Sequence, residues 1–471
     1  MKSKYKKIII FLLYIILIIV MSFFHENWRD EVQSYLLCRD MNFLELFKNV
    51  HYEGHPFFYY LLLYPFVKMG FGIKIVNVLS LVYMIISSYL IIFKSKIKTI
   101  YKICIIFSIV FLYDYTIIGR SYSLVVLLVV LIALLWENKK NNAIVLGLLI
   151  GLLINTHIFM EGFCLLLFVG FYVYELIINR KNNSKEENKK ILIGFIIICI
   201  FGLILLIQFI PVLLHGISMS INKNFTIINI LCRMFAIVLC PFINKYYLLS
   251  FSFLICILIF LILLYDENKR LFIFYLLNVF LLSVLSTYVL KKLSMNKALL
   301  YVLFIYFICL VNYNKKSNFI LIVMFILFIP NVLYFYYYEI KMPYSSGKYA
   351  YNYIEKNISK DSIIITINDP QTSNLAGYNK DYKYYDIKSN RYFTYIVWDE
   401  KRENLHIDFK SINKELSNYK NIYYISLKED EYNFDKIMRE HYNLEELYRD
   451  KKSSITQEDY IIYKIQSIKE N

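Results

Sequence analysis

Eleven apolar stretches recur along this 471-residue chain, at 8–24, 73–93, 99–117, 121–136, 142–157, 158–178, 191–214, 245–265, 271–290, 295–312 and 318–338. Each is close to the length that carries a helix across a hydrocarbon core ~30 Å thick. No soluble core needs so many, and 58% of all residues are hydrophobic, with only 13 Gly and 7 Pro. The expected fold class is an α-helical polytopic membrane protein with about eleven spans. The first stretch follows "MKSKYKK", and no small-residue cleavage site comes after it, so it reads as an uncleaved span.

Charge sets the expected orientation. Region 339–471 holds 21 Lys+Arg against 22 Asp+Glu, while the residues before it hold 31 against 14. The net +16 therefore belongs to the apolar part, where loop cations set topology; nucleic acid is not the expected partner. Basic clusters at 94–98, 138–140, 179–190, 267–270 and 314–317 separate the spans. All five stay cytoplasmic, with the N-terminus, if 57–69 ("FFYYLLLYPFVKM") dips into the outer interface rather than crossing. Eleven spans, an odd number, then leave 339–471 extracytoplasmic in a multi-pass protein of the cell membrane. The eight Cys all precede residue 310 and suggest no disulfide framework.

The terminal region changes character. "AYNYIEKNI" and "FKSINKELSNY" read as helices, and "SIIITI", "NIYYISL" and "EDYIIYKI" as strands. Such alternation predicts a small α/β domain over 339–471, following a membrane domain over 1–338.

On the expected outer side the polar residues form an unusual set. The first loop, 25–72, carries Asp30, Glu31, Tyr52, Glu53 and His55. Adjacent acids at a bilayer edge are costly unless wet, paired or used. The third span exits through Asp114, Arg120 and Tyr122, and the fifth through His157 and Glu161. Lys291, Lys292 and Lys297 form a basic outer loop against the inside bias. Within the first loop, Val32, Tyr35 and Leu36 fall at helical spacing, with Asp30 at that helix's N-terminus. Asn42 followed by Glu45 is a capping box that opens a second short helix. His157 and Glu161, four apart, would share a helix face, either as a hydrogen-bonded pair or as two ligands of a divalent metal. No other cofactor is indicated.

One chemistry uses this set. Moving a sugar off a lipid phosphate needs a base on the acceptor hydroxyl and cations for the departing anion. A base on the far face of the sugar carbon gives inversion. The stretches "DEVQSYLLCRD…YEGHPFFYYLLL" and "YDYTIIGRSYSL" resemble the first loop and third-span exit of the GT-C superfamily of membrane glycosyltransferases. The closer similarity is to its protein O-mannosyltransferase and aminoarabinose transferase branch. That resemblance covers roughly residues 1–340 and implies a polyprenyl- or dolichyl-phosphate sugar as donor. It implies the first-loop acid, Asp30, as base, with Glu31 orienting it or the acceptor. Phosphate-binding cations map onto Arg120 and the 291–297 lysines, and the acceptor is a glycan, lipid or protein. The rival expectation is a transporter or flippase of lipid-linked glycans, which calls for charges at mid-membrane depth and paired broken helices. A receptor-like scaffold would not need eleven spans.

Overall fold

The computed structural model describes residues 2–53, 55–215, 226–239, 247–289, 295–367, 369–398, 407–428, 434–450, 452–453 and 458–469. It is mostly helical, with one sheet near the C-terminus. Among the described residues six helices are long and apolar enough to cross a membrane: Lys4–Ser22, Ile75–Lys94, Ile158–Ile177, Lys185–Phe209, Lys269–Thr287 and Lys316–Lys341. They are compatible with a multi-pass membrane protein. Six, not eleven, meet that measure.

The shortfall has visible causes. Stretch 99–117 is a helix over Thr99–Ile106 and then a wide π turn over Val110–Asp114. Stretch 142–157 holds a helix only over Ala143–Ile154, 12 residues or roughly 18 Å. It stops where the Asn155 amide turns back onto the Gly151 carbonyl. Helix Leu300–Val311 has 11 of its 12 residues buried, so it is a core helix sheathed by its neighbours. Stretch 245–265 is the 21-residue helix Tyr247–Glu267. Between the stretches 191–214 and 245–265 lies a further helix, Ile227–Leu239.

Helices Ala143–Ile154 and Lys185–His215 pack closely because glycine removes the side chains between them. A Cβ on Gly147 would come within 2.6 Å of the Gly194 carbonyl oxygen. The first-loop helices form as expected, over Arg29–Asp40 and Phe43–Asn49, the second with its Asn42–Glu45 capping box complete. The 57–69 segment is a helix over Phe58–Lys68, 11 residues with Pro65 inside, too short to span.

The terminal region is an α/β unit. Strands β1 (Ile363–Thr366), β2 (Lys383–Asp386), β3 (Arg391–Phe393), β4 (Ile422–Leu427), β5 (Tyr442–Arg449) and β6 (Tyr460–Ile468) lie in the order β3-β2-β1-β4-β6-β5. The central strand β1 runs parallel to β2 and β4 and is buried along its length, which is why it reads as three isoleucines before Thr366. Strand alternation sorts its side chains. Ile364 faces helices Gly347–Asn357 and Asp369–Tyr378, whereas Ile363 and Ile365 face helices Phe409–Leu416 and Phe434–His441. The five terminal elements expected from the sequence are all present. The last long apolar helix, Ile320–Lys341, carries past the expected boundary at 338, so Glu339 belongs to that helix and not to the terminal unit.

This unit docks on the first-loop helix Arg29–Asp40, called the surface helix below for its place between the apolar helices and the terminal unit. Gly377 lies against Val32, and a Cβ there would overlap the Val32 side chain. The Gln33 amide exchanges two hydrogen bonds with the backbone of Ile396, both at 2.9 Å, and Arg39 donates to the Ala376 carbonyl at 2.7 Å. The Arg29 amide donates to Glu458 at 3.0 Å.

Candidate functional site

Two adjacent acids open the first surface helix, and helical geometry sends their side chains in different directions. Glu31 turns inward and is 0% exposed. Its carboxylate accepts from the Trp28 amide (3.0 Å), from the Asn77 side chain (2.8 Å), from the Gly119 amide and from His25 Nε2 (2.9 Å). His25 Nδ1 lies 3.0 Å from Glu339 Oε1, to which the Tyr113 hydroxyl also donates at 2.7 Å. Burial opposes charge on His25, but the Glu31 and Glu339 carboxylates outweigh it and hold its pKa up at about 10. Burial likewise works against the Glu31 charge, and His25 with the Gly119 and Trp28 amides keeps that carboxyl below its ordinary range. Glu31 has no face left for an acceptor. It joins the exit of the first helix, the surface helix, the 117–119 turn and, through His25, helix Ile320–Lys341.

Asp30 points the other way and keeps 27% side-chain exposure. Arg120 Nη1 lies 3.0 Å from its Oδ2 and Arg29 Nε 3.1 Å from its Oδ1. Burial disfavours the Asp30 charge, but the two guanidiniums outweigh that cost and hold its carboxyl below the usual range. Arg120 Nη2 approaches His55 Nε2 at 3.2 Å, and its guanidinium sits 5.5 Å from the Tyr122 ring centre. Burial, Arg120 and Lys297 push the His55 pKa down to about 3, against Asp30, so the ring is neutral. With Nε2 accepting from Arg120, the proton sits on Nδ1. That nitrogen is buried and has no hydrogen-bond partner among the described residues.

The His157 ring lies 5.1 Å from that of His55 and 4.7 Å from that of Tyr122. Its Nδ1 accepts from the Phe159 amide at 3.2 Å, which makes Nε2 the protonated nitrogen; it too is buried and unmatched among the described residues. The ammonium of Lys297 stands 6.0 Å from the Phe159 ring centre and acts electrostatically on Asp30 and His55. Glu53 accepts from Gln33 at 2.8 Å. Burial raises its carboxyl to about pH 7, with the Asp30 charge adding to the rise and the Gln33 and Trp398 hydrogen bonds opposing it. Side by side, then, stand one ionised carboxylate and one poised near neutrality, backed by a guanidinium, an ammonium and two neutral imidazoles.

The structure thus brings together Asp30, Glu53, His55, Arg120, Tyr122, His157 and Lys297 from four separate parts of the chain. Asp114 is buried nearby, one of its oxygens unmatched among the described residues, within electrostatic reach of Arg120. Glu161 does not join the cluster. His157 has extended backbone (φ −155°, ψ 123°) and caps the short turn Ile158–Met160, so the two residues share no helix face and the four-residue spacing loses its meaning. Among the described residues no group of three or more His, Cys, Asp or Glu is placed to hold a metal ion. Lys291 and Lys292 lie outside the described residues, as does the Tyr52 side chain.

Sequence reading missed His25, Gln33, Asn77, Gly119, Glu339 and Trp398. Only His25 carried a usable signal, as a histidine six residues before a buried-edge acid. Set against family models, characterised proteins and solved structures, the chain matches none of them.

Proposed function

We propose that this protein is a membrane glycosyltransferase that moves a sugar from a polyprenyl-phosphate donor to an acceptor hydroxyl, with inversion. The observation that carries this reading is the Asp30–Arg120 ion pair set beside Lys297 and His55 at one end of the helices. A donor phosphate would compete with Asp30 for Arg120, whose planar fork suits a phosphate as well as a carboxylate. Left with Arg29 alone of its two guanidinium partners, Asp30 becomes a stronger base at the moment the donor is seated. It then takes the acceptor hydroxyl proton as the acceptor oxygen bonds to the sugar carbon. The bond from that carbon to the phosphate oxygen breaks, and the polyprenyl phosphate leaves with the electron pair, held by Arg120 and Lys297. The Nδ1–H of His55 and Nε2–H of His157 are donors available to sugar hydroxyls.

The site faces the outer surface of the cell membrane in this reading, with the terminal α/β unit on the same side. Glu31 is a positioning residue. A transporter would need its ionisable groups at mid-depth, whereas these gather beside the surface helix. The test is binding of a polyprenyl-phosphate sugar to purified Arg120→Lys protein. Loss of the bidentate contact should weaken donor binding by about tenfold or more. Unchanged affinity in a folded variant would remove Arg120 from the phosphate site.

A further inference from the structure

A second site lies at the other end of the same helices. Helix Tyr122–Leu135 starts at the Arg120 cluster and ends at Trp136, 14 residues or roughly 21 Å away. There a cavity of about 520 Å³ opens among Trp136, Lys139, Gly170, Arg270, Phe274 and Phe307. Its lining is mainly apolar. One side is open between helices, where Val169, Ile273 and Leu277 are 48%, 53% and 42% exposed. Side chains this apolar and this exposed on membrane-length helices face acyl chains.

The mouth of the cavity is cationic. The Lys139 ammonium stands 5.0 Å from the Trp136 ring centre and 5.4 Å from that of Phe171, and the Arg270 guanidinium 5.6 Å from that of Tyr174. Among the described residues neither cation forms an ion pair. Acids are close by and are directed elsewhere. Glu175 meets Lys140 at 3.5 Å and accepts from Asn179 and Asn183. Glu267 accepts from the Ser317 amide at 3.1 Å and from the Ser317 hydroxyl. The N-terminus of helix Lys269–Val289 also borders the cavity, capped by Asn268, whose side chain accepts from the Leu271 amide at 3.2 Å. Two cations without an ion pair among the described residues, a helix N-terminus and a tryptophan therefore stand at the polar rim of an apolar slot. An anionic headgroup with attached chains satisfies both halves at once.

We infer that this cavity binds an anionic phospholipid, its phosphate between Lys139 and Arg270 and an acyl chain in the groove beside Phe274 and Phe307. The site is separate from the Asp30–Arg120 cluster and does not depend on the reaction assigned to it.

Trp136 reports on occupancy directly. The whole protein is placed in phosphatidylcholine vesicles that contain a small fraction of either brominated phosphatidylglycerol or brominated phosphatidylcholine. Quenching of Trp136 is the difference between the wild type and Trp136→Phe. Brominated phosphatidylglycerol should quench it several-fold more effectively at equal content. Each cation near an anionic lipid is worth about fivefold in affinity, so Lys139→Gln and Arg270→Gln should each cut the preference by roughly that factor. Lys139→Arg should retain it and serves as the folding control. Equal quenching by the two lipids overturns the assignment, as does a preference kept in both neutral variants. Equal quenching by the two lipids, together with a Trp136 emission change on adding millimolar inorganic phosphate that is lost in Lys139→Gln, would mean that the cations take free phosphate and not a lipid.

Discussion

Replacing Glu31 with Gln should damage folding more than it damages chemistry. The His25 pKa stands at about 10 against an ordinary 6.5. At ~1.4 kcal/mol per unit, that is about 5 kcal/mol in favour of the charged ring, net of the burial that opposes it, supplied by Glu31 and Glu339 together. Both Glu31 oxygens lie near His25 Nε2, at 3.2 and 2.9 Å, whereas one Glu339 oxygen meets Nδ1. Glutamine removes the closer charge. It also offers a single acceptor oxygen to the Trp28 and Gly119 amides and the Asn77 side chain, turning an NH₂ toward donors. Breaking one partner out of a buried pair costs roughly 3–5 kcal/mol, and that is the loss expected for Glu31→Gln. The pH dependence identifies the cause. A histidine whose folded pKa is raised adds stability that is complete below about 6.5 and is lost as pH rises through about 10. Wild-type protein in detergent should therefore unfold at lower temperature at about pH 9 than at about pH 6. In Glu31→Gln that loss should move to lower pH, because the imidazolium has lost its stronger partner. Thermal unfolding of both proteins across this range is the assay. A variant that melts with the wild type near pH 6, or keeps the same pH profile, refutes the network.

Glu53 should place a titration near pH 7 on the rate of sugar transfer, with activity rising as its carboxyl ionises and adds negative charge beside Asp30. Rates measured between about pH 5 and 9 should lose that limb in Glu53→Gln and keep it in a variant of Glu161, which stands outside the cluster. Orientation is tested with exposed positions in a background free of native cysteines. Ser359→Cys should react with an impermeant thiol reagent on intact cells and Asn182→Cys should not, and the reverse pattern would move the site to the cytoplasmic side.

Much of the site was legible because its chemistry is written in local runs. Asp30, the "YEGHP" residues, Arg120, Tyr122 and His157 each lie beside the start or end of an apolar segment, and the fold brings these segment ends together although the helices differ in length. The Asn42–Glu45 cap and the isoleucine-rich β1 were legible for the same reason: one local rule decides each. The His25–Glu339 contact was not, since it joins residues 314 apart and no periodicity announces it. Nor were the wide turns at Leu90–Lys94, Val110–Asp114 and Phe168–Val173, which shift helix faces without a sequence marker. The His157–Glu161 spacing misled because a four-residue interval has meaning only inside a helix, and His157 caps one. Helix Asp369–Tyr378 was hidden by its polar residues and Pro370, although a proline in the first turn is compatible with helix. Its partner is the surface helix, so its packing face could not be seen from its own segment.

The division of labour between the two adjacent acids is the central claim, and Asp30→Asn tests it most directly. Asparagine keeps the shape and one of the two oxygens that Arg29 and Arg120 meet but cannot take a proton as a carboxylate does. With a polyprenyl-phosphate sugar and reconstituted protein, turnover should fall by about 10²–10⁴ while the variant melts close to the wild type and still binds donor. Near-wild-type transfer by Asp30→Asn would contradict the account and leave Asp30 only the structural partner of Arg120.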